Sequence, residues 1–150
     1  MKRYRAAIIG LGRMGSTIDD EVTDVERPFS IASSCTASDR LELVAGCDLR
    51  ADRRSAFSER WGVQAVYGDY MEMIDKENLD LVAVCTTATG LQKPGDRAPS
   101  SDFRGDSHAE IAVDVANAGV PMLFVEKAMA CSLRAADKVL EACHEHNTVF

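Results

Sequence analysis

Three glycines, Gly10, Gly12 and Gly15, stand at G-x-G-x-x-G spacing in the stretch AIIGLGRMG, directly after the apolar run Tyr4–Ile9. Taken alone, such a pattern is only a tight turn rich in glycine. Here it closes a predicted strand and opens a predicted helix as the first βα turn of a βαβ series, the context that a dinucleotide-binding fingerprint requires. Gly10 permits the turn, Gly12 lets the backbone approach a pyrophosphate, and Gly15 lets helix and strand pack closely. Amides left unpaired at the helix start would then face the phosphates. Arg13 and Met14, the variable positions between Gly12 and Gly15, complete the expected cofactor-binding loop.

The second half of the fingerprint is an acidic residue at the end of the second strand. Asp48 follows the run Leu41–Cys47 (LELVAGC), and its carboxylate could accept hydrogen bonds from the adenosine ribose hydroxyls. It lies 38 residues after Gly10, against the usual separation of about twenty. An insertion within Asp19–Arg40 accounts for the excess; without one, Asp48 is a mere strand terminator. An acid here favours NAD, because a 2′-phosphate would be repelled. Arg50, Arg53 and Arg54 come just after it. They either soften that preference, which keeps NADP as the second candidate, or are ordinary solvated charges on a helix.

These residues need a scaffold, and the apolar pattern supplies one. Tyr4–Ile9, Leu41–Cys47, Val63–Tyr67, Leu79–Cys85 and Val120–Val125 are continuous apolar runs, and Asn147–Phe150 reads as the first residues of a sixth. Unbroken rather than alternating apolar character suggests strands buried on both faces of a parallel sheet. Helical patterns lie between them: Ala51–Trp61 around Ala56, Phe57 and Trp61; Asp69–Asp75; Ser107–Ala118 with Ile111, Val115 and Ala118 on one face; and Ser132–His146 with Leu133, Ala136, Leu140 and Cys143 on one stripe. D-Y-M-E at Asp69 and S-H-A-E at Ser107 are capping-box sequences, and Gly119 with Pro121 is a stop signal. The alternation predicts an α/β fold: a doubly wound, mainly parallel Rossmann-type sheet of about five to six strands, with right-handed crossovers and helices on both faces. Asp19–Arg40 reads as a broken helix. Thr86–Asp106 reads as a long loop, and a loop of that length is usually functional or disordered.

The totals bound the function. A chain of 150 residues, 46% hydrophobic and 27% charged, suits one globular domain with a sizeable core. A net charge of -7 makes nucleic acid and anionic membranes poor partners, although helix N-termini still bind small anions. Five cysteines without a C-x-x-C pair, and no run long enough to span a membrane, read as reduced thiols in a cytoplasmic protein. Cys85 and Cys131 are expected to be buried structural thiols, and Met71, Met73, Met122 and Met129 to be core fillers. C-H-E-H at Cys143–His146 looks metal-like, but on a helix His144 and His146 point to different faces, so no metal is expected.

AIIGLGRMG, LVAGCD, LDLVAVCTTAT, His108 opening a helix, and VPMLFVEKAMA together resemble the glucose-fructose oxidoreductase/inositol dehydrogenase/rhizopine catabolism (Gfo/Idh/MocA) family of NAD(P)-dependent oxidoreductases. The resemblance covers essentially the whole chain, but only the N-terminal half of such a protein. It implies that residues 1–150 are the dinucleotide-binding domain of an enzyme whose substrate and oligomerisation domain lies beyond them, so that the chain alone binds NAD weakly and turns nothing over. It implies that Thr86 and Thr87 line the cofactor beside the nicotinamide, and that Glu126 and Lys127 match the E-K-P motif whose lysine contacts the substrate near the hydride-transfer centre. Ala128 replaces the proline of that motif, and the family's histidine arrives only as His108, beyond the long loop. A lysine after the fifth strand points into the crevice outside the strands' carboxyl ends. Its ammonium could hold a hydroxyl oxygen and stabilise charge as hydride moves, and burial beside a cationic ring would lower its pKa toward a proton relay. The bland alternative is a surface lysine in a Glu-Lys pair. The implied substrate is a sugar or polyol hydroxyl/ketone pair, and the implied assembly a homo-oligomer. A stand-alone NAD-sensing module without catalysis is the competing function.

Overall fold

The computed structural model describes residues 2–22, 24–25, 28–86 and 107–150. Its elements are β1 (Tyr4–Ile9), α1 (Ile31–Ala37), β2 (Leu41–Cys47), α2 (Ala51–Trp61), β3 (Ala65–Tyr67), α3 (Tyr70–Lys76), β4 (Leu81–Val84), α4 (Ser107–Asn117), β5 (Met122–Val125) and α5 (Leu133–Glu145). The five strands form one sheet in the order β3-β2-β1-β4-β5, and every pairing is parallel. The chain runs outward from β1 to β3, then crosses back to β4 on the other side of β1. That reversal at the centre is where such sheets open a crevice at the carboxyl ends of their strands.

The continuous apolar runs are explained by burial on both faces. Ala6, Ala7, Ile8 and Ile9 are all at most 3% exposed. On one face Ile8, Leu11, Ala32, Phe57 and Val63 pack beneath α1 and α2. On the other, Met73, Val82, Val84, Ala112, Val115 and Val139 pack beneath α3, α4 and α5. Gly46 lets Phe57 in: a β-carbon there would sit 2.6 Å from the Phe57 ring. This close approach seats α2 against β2 and carries Arg53, one helical turn earlier, up toward the end of β1. At the far edge, Val149 pairs in parallel with Met122 as an isolated bridge, so the last residues begin to add beside β5 as expected.

Several expectations need correction. The glycine turn opens not a regular α-helix but a π-helical turn, Arg13–Thr17, followed by a 3-10 turn, Ile18–Asp20. The helix resumes only at α1, capped by the Ser30 hydroxyl on the Ser33 amide. The insertion is held by Asp19, whose carboxylate accepts from the Phe29 and Ser30 amides and from the Ser33 hydroxyl. Asp69 caps α3 through the Met71 and Glu72 amides, but Glu72 pairs with Lys76 instead of reaching back. Ser107 lies inside α4, not ahead of it.

On α5 the buried stripe is Ala135, Val139, Ala142 and Cys143, while Leu133 and Leu140 are 86% and 50% exposed. Both stripes have helical spacing and share Cys143, and the one without leucines is the one that is buried. Ala118 is exposed and Ala112 and Ala116 take its place on the buried face of α4, Met71 is exposed, and so is Cys131. Among the described residues no helix is long and apolar enough to cross a membrane.

Candidate functional site

The site is built from the end of β1. Gly10 has φ +95°, a left-handed conformation that glycine adopts without strain. A β-carbon on it would lie 2.6–2.7 Å from the backbone of Cys85 and Thr86. Its amide donates to the Cys47 carbonyl, and the Cys85 amide donates to the Ile9 carbonyl, so the turn is pinned between the ends of β2 and β4. Gly15 folds back against Gly10: its β-carbon would stand 2.1 Å from the Gly10 carbonyl oxygen. No side chain fits at either position. The first amides of the turn Arg13–Thr17 have no intrahelical carbonyl to donate to, which leaves them for an anion.

Asp48 reaches this turn from 37 positions further along the chain: its Oδ2 accepts from the Leu11 amide at 2.9 Å. Its Oδ1 accepts from the Arg50 amide at 2.9 Å, and the residue is 8% exposed. The insertion before β2 therefore does not displace Asp48 from the glycine turn. Of the three following arginines, Arg50 is paired with Asp52 and Arg54 donates to the Asp48 and Leu49 carbonyls. Arg53 differs. Its guanidinium lies 3.4 Å from Asp48 Oδ2, and a β-carbon on Gly12 would meet it at 3.3 Å. The open face of Gly12 is thus covered by a cation. Sequence position did not single it out, since Arg54 falls on the same first turn of the helix that follows Asp48.

Beside the glycine turn, a cleft of about 680 Å³ runs between Arg13, Ser16 and Asp20 on one wall and Arg53, Phe57 and Arg60 on the other. Arg60 clamps Asp20 with two hydrogen bonds of 2.6 and 2.8 Å, which hold the Asp20 carboxyl below its ordinary range. The Trp61 indole donates to the Ser16 hydroxyl. Arg13 is turned away onto Glu21, at 2.8 Å. Met14 is half-buried in the turn.

The second group of candidate residues lies past β4 and β5. Thr86 lies two residues past β4, its hydroxyl 3.0 Å from that of Ser107. Thr87 lies outside the described residues, as does the rest of the expected loop to Asp106. The Glu126 amide donates to the Val84 carbonyl, and the Glu126 carboxylate accepts from the Lys127 amide at 2.8 Å. Lys127 is exposed, so in the free chain it lacks the burial expected of a proton relay, and no described residue pairs with its ammonium. Cys85 is buried, and desolvation together with the Glu126 charge pushes its thiol up to about 12, which leaves it inert. Sequence reasoning undervalued His108. Its ring is buried and bridges the Thr86 and Ala128 carbonyls, tying the two strand exits together.

Comparison with known proteins gives a consistent picture. The model of the family described as "Oxidoreductase family, NAD-binding Rossmann fold" matches residues 4–150. The myo-inositol 2-dehydrogenase of Thermotoga maritima is 26% identical over 146 residues, covering 97% of this chain and 34% of that protein. The crystal structure of myo-inositol 2-dehydrogenase from Lactobacillus plantarum superposes with a TM-score of 0.71 at 25% identity, over 99% of this chain and 35% of that one. The WlbA dehydrogenase from Bordetella pertussis, solved in complex with NADH and UDP-GlcNAcA, shares the fold with a TM-score of 0.69 at 22% identity, over 98% and 36% of the two chains. The chain spans about a third of the length of the curated relatives it matches.

Proposed function

The chain belongs to the oxidoreductase family with an NAD-binding Rossmann fold, and from that premise we propose that it forms the cofactor-binding part of an NAD-dependent dehydrogenase acting on a hydroxyl/ketone pair of a sugar or polyol. The observation that carries this reading is the meeting of Asp48 with the glycine turn. A carboxylate fixed by the Leu11 amide stands beside a turn in which two glycines leave no room for a side chain. That cradle fits a dinucleotide. Gly10, Gly12 and Gly15, with the free amides of Arg13 and Met14, would hold the diphosphate, and Asp48 the adenosine ribose. Arg53, over Gly12, adds positive charge where the diphosphate would approach.

Bound NAD would supply the hydride acceptor. The residues of this chain do the rest of what can be assigned to it. Thr86, just past the end of β4, and Thr87 after it in sequence would line the nicotinamide side. Lys127, held out from the end of β5, would grip a substrate oxygen and stabilise the negative charge that develops as its proton leaves. Glu126 fixes the Lys127 backbone through the 2.8 Å bond to its amide. The sugar or polyol class is supported by the relatives: the two myo-inositol dehydrogenases are named for a polyol. A homo-oligomeric assembly is part of the same reading.

NADP remains the second cofactor candidate, because Arg53 lies against Asp48 and is the one arginine of the three placed to meet a 2′-phosphate. A non-catalytic NAD sensor is less favoured, since it would have no use for Lys127 at the crevice. The test is a panel of polyols and sugars with NAD, using the protein that carries the full activity, with Lys127→Ala beside it. Loss of turnover with cofactor binding retained supports the role of Lys127; retained turnover withdraws it.

A further inference from the structure

We infer that His108 is a positioning residue that sets the nicotinamide side of the crevice by tying the exit of β4 to the exit of β5; this rests on the dinucleotide reading above. Its Nε2 lies 2.6 Å from the Thr86 carbonyl oxygen and its Nδ1 lies 2.8 Å from the Ala128 carbonyl oxygen. A carbonyl oxygen only accepts, so a ring nitrogen that bonds either of them does so as the donor. The ring is 1% exposed, which bars it from touching cofactor or substrate. Whatever it does, it does through the two backbones that it joins.

Those two backbones need joining. The pairing of β4 with β5 ends at Val84 and Val125, and the last ladder bond runs from the Glu126 amide to the Val84 carbonyl. Past that point no backbone bond among the described residues joins Thr86 on one side to Lys127–Ala128 on the other. Among the described residues, His108 is what spans them. It is delivered from the first turn of α4, and the Thr86–Ser107 hydroxyl contact braces the same corner. The strand order places this corner. A dinucleotide with its diphosphate on the β1 turn and its ribose on Asp48, at the end of β2, must send its other end across β4. His108 thus fixes the separation between the backbone that would flank the nicotinamide and the backbone that presents Lys127.

The test separates the two ends of the cofactor. NADH and ADP-ribose, which lacks the nicotinamide, are titrated into the unaltered chain and into His108→Asn and His108→Gln. The expected result is an NADH affinity about tenfold weaker in the variants, with ADP-ribose affinity within about twofold of the unaltered chain. Equal losses for both ligands, or no loss for either, would overturn the inference. An unaltered chain that binds neither ligand would sink the dinucleotide reading itself, and this inference with it. Should the variants fail to fold, the ring signals of His108 in the unaltered chain give the answer by nuclear magnetic resonance, with only His144 and His146 to be told apart from it. They are expected to shift with NADH and to stay put with ADP-ribose. A response to both alike, or to neither, would overturn the assignment.

Discussion

The two sides of the crevice are held by different means. On the β1–β2 side the structure is fixed by close backbone approach: Gly10 against Cys85 and Thr86, Gly15 against Gly10, and Asp48 on the Leu11 amide. On the β4–β5 side, beyond the last ladder bond, the described residue that joins the two exits is His108, with the Thr86–Ser107 hydroxyl contact beside it. The first side is rigid because there is no space for it to be otherwise. The second can be altered by changing one residue, without touching the sheet.

The sharpest way to break this contrast is Gly15→Ala. Its new methyl would land 2.1 Å from the Gly10 carbonyl oxygen, so the turn must open. We expect a loss of at least about 3 kcal/mol in urea unfolding, the upper part of the overpacking range, together with loss of NADH binding. Gly46→Ala should cost about 1–3 kcal/mol, because Phe57 must retreat, and should weaken NADH less, since the turn itself is spared. Asp48→Ala removes a charged acceptor from the Leu11 and Arg50 amides. The charged hydrogen bond that Asp48 would accept from the ribose is lost as well, at about 1.5–3 kcal/mol, so a drop in NADH affinity of roughly 10- to 100-fold is expected by calorimetry. Arg53→Ala should weaken both cofactors through the diphosphate they share, and NADPH several-fold more than NADH, a difference of about 1 kcal/mol. Equal effects on both cofactors would remove Arg53 from cofactor choice.

The smallest effect sits in the insertion. Burial alone would raise the Asp19 carboxyl, but bonds from Ser30, Phe29 and Ser33 outweigh it and hold the group at about 2, below the ordinary 3.8. A lowered folded-state value means that Asp19 contributes stability above the unfolded value and loses it as pH falls toward about 2. Asp19→Asn should therefore narrow the difference in stability between neutral pH and the window from about pH 4 down to 2, read as a shift of the acid-unfolding midpoint. An unchanged midpoint would mean that the insertion is not held by this carboxylate.

How much of this was legible before the structure follows from the same contrast. Glycines and buried strands announce themselves, because close approach and burial on two faces restrict residue type at fixed spacing. That is why the glycine turn, Asp48 and all five strands could be read from the chain. The stripe on α5 could not: Leu133 and Leu140 satisfy the same period as Ala135, Val139 and Ala142, and only the nearness of α4 decides between them. The π-helical turn at Arg13–Thr17 leaves no sequence signature either. His108 was visible as a residue but not as a bridge, since its partners are carbonyls from segments 22 and 20 positions away, and a backbone carbonyl carries no residue identity. Arg53 was one of three equivalent arginines until helix geometry separated them.

Titration calorimetry of the chain with NADH tests the central claim most directly, which is that the glycine turn and Asp48 together hold a dinucleotide. Saturable one-to-one binding that Asp48→Ala weakens severely is the expected result. Absence of binding at millimolar NADH and NADPH alike, by a folded chain, would contradict it.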